Sequence, residues 1–193
     1  MGKEQDNLFY DEAYNRGGSG EKYFKDPEDI KVYFEIWKRA KSWIEDNDIK
    51  SIVDFGCGPG HFSSILDPSI NYIGCDFSRV AINLARIRNA GRKNTKFIIG
   101  NLSEYIKVPT DSFYTGFEFF EHVSFDLELM EKLDIGDKLM FSVPNHDSQG
   151  HVRFFNSVED VEERYSRLFE LTHIHTIEYG YKKKIFLYYG ERI

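Results

Sequence analysis

The stretch "GFEFFEHV", Gly116 to Val123, ends an apolar run in two carboxylates and an imidazole. Glu118, Glu121 and His122 stand at E-x-x-E-H spacing. If a helix begins here, positions i, i+3 and i+4 share one face and the three groups point together. Downstream, "VPNHDSQGHVRFF" adds His146 and His151. Carboxylates and imidazoles in this number suit a divalent ion with open coordination positions. Such an ion would lower the pKa of a bound hydroxyl. A metal-free reading stands beside it: His122 acts as general base, because imidazole titrates near neutrality. In a third reading Glu121 is only a first-turn carboxylate favoured by the helix dipole.

A second group of residues suggests a nucleotide site. "VDFGCGPG" places Gly56, Gly58 and Gly60 after a short apolar strand and before "HFSSIL", a helix start. Glycines permit a sharp turn and close backbone approach to a ligand. A dinucleotide fingerprint would place its third glycine at position 61, which is His61. Asp54, just before the first glycine, would repel a pyrophosphate but suits a cationic ammonium. The next strand ends in Asp76 and Phe77, a carboxylate placed for ribose hydroxyls and a ring placed beside a base. The third strand runs into Asn101 and Leu102, where an amide can meet an adenine amino group.

"VDFGCGPGHF", "YIGCDFS", "FIIGNL" and "FEFFEHV", in this order, resemble the class I S-adenosylmethionine (SAM)-dependent methyltransferases over residues ~50–193. That resemblance implies SAM as cofactor. It implies that Asp54, Gly56, Cys57, Gly58 and Gly60 hold the methionyl part, Asp76 and Phe77 the ribose and base, and Asn101 and Leu102 the adenine. Glu118 would lie near the methionyl amine. The chain departs from the family in having Asn101 where Asp is usual and Tyr114 where the fourth strand usually carries Asp. E-x-x-E-H followed by a "GH" loop is similar to two narrower groups. These are the ubiquinone-biosynthesis O-methyltransferases and the small-RNA 3′-terminal 2′-O-methyltransferases, the latter using Mg²⁺. Carried over, the metal ligands are Glu118, Glu121, His122 and His151, for Mg²⁺ or another divalent ion; the catalytic pair is His122 and Glu121.

The elements that must position these groups follow from periodicity. From residue 51, apolar strands alternate with helices, which implies a parallel sheet covered on both faces. Two long late strands meet at Gly180 and must be antiparallel to each other. The expected fold is α/β: a Rossmann-like, doubly wound, mostly parallel seven-stranded sheet with a C-terminal antiparallel β-hairpin. Residues 1–50 read as an N-terminal helical and aromatic cap, and 51–193 as the SAM-binding domain. Residues 1–25 look irregular, with Tyr14, Tyr23 and Phe24 as lid candidates. "DPEDIKVYFEIWKRAKSWI" reads as a helix capped by Asp26 with Pro27 in its first turn.

Other residues carry plainer expectations. His61 approaches the cofactor or packs locally. His173 and His175, two apart on a strand, face one solvated side. Arg153 anchors an anionic substrate or makes a surface ion pair. Lys182–Lys184 form a solvated edge. Cys57 fills space, and two cysteines in all suit a reduced compartment.

The chain has 193 residues and a net charge of −7, which sets it against a long nucleic-acid footprint. It shows no signal peptide and no apolar run long enough to span a bilayer, so the cytoplasm is the expected location. The reading is methyl transfer to oxygen of a small-molecule acceptor. The alternatives are a metal-dependent RNA 2′-O-methyltransferase and, in another class, a non-catalytic SAM-binding protein. A nucleotide-dependent oxidoreductase is opposed by Asp54 and the displaced glycine.

Overall fold

Residues 2–104 and 112–193 are described by a computed structural model. Its strands are β1 (Ser51–Phe55), β2 (Asn71–Asp76), β3 (Thr95–Ile99), β4 (Phe113–Phe117), β5 (Lys138–Pro144), β6 (Phe169–Tyr179) and β7 (Lys183–Arg192). They make one seven-stranded sheet in the order β3-β2-β1-β4-β5-β7-β6. β1 with β2, β2 with β3, and β4 with β5 pair in parallel, while β7 runs antiparallel to both β5 and β6. The doubly wound sheet with a closing hairpin is therefore the observed fold. Among the described residues no helix is long and apolar enough to cross a membrane. Contacts divide the chain into two units, Asp6–Glu104 and Met1–Gln5 with Tyr105–Ile193.

The Asp6–Glu104 unit holds the first three strands. Residues 1–25 are not irregular throughout: α1 (Asn7–Asn15) is helical, capped by the Asp6 carboxylate accepting from Phe9 N at 2.9 Å. Its inner face comes from long-range contacts that periodicity cannot reveal. Asp11 accepts from Ser78 Oγ at 2.5 Å and Val80 N at 3.2 Å, and Tyr10 packs on Phe77. The next helix starts later than expected. Asp26 makes no side-chain cap; Pro27–Asp29 form a single 3₁₀ turn, and Ile30 at φ −101°, ψ 60° breaks it. α2 (Lys31–Asp46) begins only then, burying Ile36, Ala40 and Ile44 fully. Their four-residue spacing is one helical stripe. After β1 and the glycine turn come α3 (His61–Ile65) and α4 (Arg79–Arg88). Ser78 caps α4 through Ala81 N at 3.1 Å, and Arg86 and Arg88 sit in its last turn, where cations oppose the dipole.

The other unit packs α5 (Asp126–Glu131) and α6 (Val158–Tyr165) with β4–β7. Its core is aromatic. Phe120, Phe141 and Tyr165 are fully buried with ring centroids 5.4–6.5 Å apart, largely edge-on, the geometry ring quadrupoles favour. In β6 a bulge between His173 and His175 breaks the alternation, so the two histidines are not a simple i, i+2 pair.

Candidate active site

In the Asp6–Glu104 unit the chain leaves β1 through three left-handed glycines, Gly56, Gly58 and Gly60, at φ 67°, 51° and 70°. Side-chain-bearing residues adopt this conformation at a cost. The turn is tied to β2, since Cys57 N donates to the Cys75 carbonyl at 3.0 Å. Gly58 N donates to Asp76 Oδ2 at 3.0 Å and Ser78 N to Asp76 Oδ1 at 2.9 Å. A Cβ on Gly58 would stand 3.3 Å from the Tyr14 hydroxyl; one on Gly60 would come within 2.7 Å of Asn89 Nδ2. Gly58 leaves room for the Tyr14 side chain of α1, and Gly60 lets α4 pack close.

Burial pushes the Asp76 carboxyl up to about 6, against the two amides that pull it down. Asp54, also buried, accepts from the Tyr72 hydroxyl. Burial likewise pushes the Cys57 thiol well up, so it fills space and is not an activated nucleophile. The ring of His61 stacks on Trp37 at 5.4 Å and 11°, and its Nε2–H donates to the Lys25 carbonyl at 3.1 Å. Burial lowers its pKa to about 4, so it is a neutral packing residue. Phe77 lies against Tyr10. Asn101 is exposed and its Oδ1 accepts from Ser103 N at 3.0 Å, while Leu102 is buried. The contacts of Asp11 with Ser78 and Val80 and of Tyr10 with Phe77 were not legible in the sequence. Asp11 gave no sequence signal, because its partners lie 67 and 69 residues away.

In the other unit the E-x-x-E-H stretch is not a helix. Residues 118–125 form successive turns and α5 starts at Asp126. Glu118 takes φ 51°. Its N–H donates to the Ser142 carbonyl at 3.2 Å, and its Oε1 accepts from Ser142 Oγ at 3.0 Å. Among the described residues, Glu121, His122 and His151 bring one ligand atom each within 4.8 Å of one another. Glu118 lies outside that trio, so three of the four expected metal ligands are gathered.

The two imidazoles are held alike. His122 Nδ1–H donates to the Gly150 carbonyl and His151 Nδ1–H to the His146 carbonyl, both at 3.1 Å. With the proton on Nδ1, the lone pair sits on Nε2 of each ring. The rings are 4.7 Å apart at 81°, and His122 Nε2 is 3.7 Å from Glu121 Oε1. Two ring lone pairs and a fully buried carboxylate so close together fit a cation, either a proton or a metal ion. His146 itself meets the Tyr179 hydroxyl at 3.3 Å through Nε2.

Arg153 is not laid out as a substrate anchor. Its side chain is 13% exposed and its guanidinium is ion-paired with buried Asp126 at 3.0 Å, where a surface pair was the other expectation.

The family profile described as "Methyltransferase domain" matches residues 46–165. No curated protein matches the chain in sequence. Among solved structures it is similar to the magnesium protoporphyrin IX methyltransferase of Synechocystis PCC 6803 with bound SAM. That match has 15% identity and a TM-score of 0.71, and covers 97% of each chain. It is also similar to the N-methyltransferase NodS of Bradyrhizobium japonicum WM9 in complex with S-adenosyl-L-homocysteine. There the identity is 13%, the TM-score 0.66, and coverage 89% of this chain and 90% of that one. The methyltransferase domain of bacterial-CtHen1-CN aligns at 18% identity and TM-score 0.64, over 82% of this chain and 99% of that one. The profile spans more than half of the sequence, so this chain belongs to the methyltransferase domain family.

Proposed function

We propose that the chain is a SAM-dependent methyltransferase that methylates a hydroxyl of a small-molecule acceptor, with a divalent ion held by Glu121, His122 and His151. The cofactor half of this reading is supported by the left-handed glycine turn whose Gly58 N is already bound to Asp76. When bound, SAM supplies an electrophilic sulfonium methyl group, and a divalent ion supplies a Lewis acid that lowers the pKa of an acceptor hydroxyl.

The chain's own residues then bind and orient. Asp54 faces the methionyl ammonium. The Asp76 carboxylate accepts the ribose hydroxyls, held in orientation by the amides of Gly58 and Ser78. Phe77, Asn101 and Leu102 line the adenine. In the other unit the Glu118 carboxylate is fixed by Ser142 Oγ. Cys57 and Gly56 supply only shape and backbone.

The observation that carries the metal is the shared tautomer of His122 and His151, each tied by Nδ1–H to a backbone carbonyl. Metal-binding imidazoles are oriented in just this way. A second reading rests on Glu121 Oε1 at 3.7 Å from His122 Nε2. In it, His122 Nε2 takes the acceptor's proton and the Glu121 carboxylate stabilises the imidazolium. Calorimetry with SAM, with and without Mg²⁺ or Mn²⁺, separates the readings. Absence of SAM binding in either condition refutes the cofactor. Equal turnover after chelation refutes the metal and leaves His122 as the base.

A further inference from the structure

Four backbone carbonyls around the Glu121–His122 turn converge on two successive residues. Arg153 Nη1 donates to the carbonyls of Phe120 and Val123, the latter at 2.5 Å. Arg153 Nη2 reaches the Ser124 carbonyl at 3.5 Å. The Glu121 carbonyl accepts from Val152 N at 2.8 Å and Arg153 N at 3.4 Å. His151 directly precedes this pair in the chain. One tripeptide therefore carries the third member of the cluster and holds the backbone of the other two.

The guanidinium is fixed in turn by Asp126, which is fully buried. Asp126 also accepts from Arg164 Nε and Nη2 and from the Tyr165 hydroxyl, each at 2.8 Å. Asp126 thus keeps an ion pair and a hydrogen bond when Arg153 is replaced, and the charge left behind stays compensated. The turn loses its support, because only a planar fork of donors serves three carbonyls and a carboxylate at once.

We propose that Arg153 is a positioning residue for the Glu121–His122–His151 cluster, setting the turn that bears Glu121 and His122 in place against His151. Its metal consequence rests on the function proposed above; its effect on the imidazoles does not.

The test uses the full chain with Arg153→Met and Arg153→Lys, and Arg164→Lys as the control. Mn²⁺ affinity is read by electron paramagnetic resonance, folding by thermal melting, and the tautomers of His122 and His151 by ¹⁵N imidazole spectra of metal-free protein. Both Arg153 variants are expected to weaken Mn²⁺ binding by about tenfold or more, the range in which outer-shell partners act. They are also expected to move His122 from the Nδ1–H form toward the Nε2–H form. Arg164→Lys is expected to lower the melting temperature with Mn²⁺ affinity unchanged. An Arg153→Met protein with wild-type Mn²⁺ affinity and tautomers overturns the proposal, as does an equal loss in Arg164→Lys. If wild-type protein binds no Mn²⁺, the metal reading fails and the imidazole spectra decide alone: unchanged tautomers refute the positioning role, a shift sustains it. Should Arg153→Met not fold, Arg153→Lys retains the charge without the fork and is judged by the same two readouts.

Discussion

With Asp76 as the proposed ribose ligand, cofactor affinity is expected to depend on pH. Its carboxyl is raised from 3.8 to about 6, first by burial and then by the carboxylates of Asp54 and Asp11, while the amides of Ser78 and Gly58 oppose the shift. The phenols of buried Tyr14 and half-buried Tyr23 also face it, and both stay neutral across the range considered. Accepting two ribose hydroxyls requires the ionised form. A group titrating at about 6 is about 90% protonated at pH 5 and about 1% at pH 8. SAM affinity should therefore rise about tenfold between pH 5 and pH 8, with most of the change centred near pH 6. Equilibrium dialysis with labelled SAM at half-unit intervals measures this, and Asp76→Asn is the control. The variant should bind more weakly and lose the slope. A wild-type affinity that is flat from pH 5 to 8, or a slope that survives in Asp76→Asn, refutes Asp76 as the ribose ligand. Linkage gives a second sign to check. The folded pKa lies above the unfolded one, so the ligand-free protein binds the extra proton between about pH 4 and 6. Asp76 alone makes stability fall as pH rises through that window.

His61 acts in the opposite sense. Its pKa falls from 6.5 to about 4, so the unfolded chain takes up a proton that the folded chain does not. Stability is full above pH 6.5 and lost on acidification by roughly 3 kcal/mol down to pH 4; urea unfolding should show this contribution vanish in His61→Phe, which keeps the stack on Trp37. Gly60→Ala combines a left-handed backbone with contacts of 2.7 Å to Asn89 Nδ2 and 3.0 Å to Ala85 Cβ. It should cost about 2–4 kcal/mol by thermal melting and weaken SAM binding, and a loss below about 1 kcal/mol would show that the turn relaxes freely. Glu121→Gln should leave SAM affinity within about twofold while lowering Mn²⁺ affinity by about 100-fold, read by calorimetry with each ligand separately; unchanged Mn²⁺ affinity would remove Glu121 from the cluster.

The sheet was legible because its signals are local. Short apolar runs ended by glycine, aspartate or proline mark the strands, and the glycine turn declares itself by residue type. α1 was not legible, since the helix depends on Asp11 reaching Ser78 and Val80 and on Tyr14 reaching Gly58, contacts that no window of sequence contains. The cluster was legible in its members but not in its shape. Spacing suggested a helix that would align Glu118, Glu121 and His122 on one face. In an α-helix, however, each carbonyl is consumed by the amide four residues on. Here Phe120, Val123 and Ser124 turn their carbonyls to the Arg153 guanidinium, and Glu121 turns its own to the amides of Val152 and Arg153. The turn thus trades local hydrogen bonds for distant ones, and Glu118 parts from the other two. An arginine near a candidate site invites the role of anion anchor. The anion it meets is Asp126, buried inside the fold and shared with Arg164 and Tyr165. The same charge that suggested a ligand contact is spent inward, on holding the carbonyls of the turn that presents Glu121 and His122.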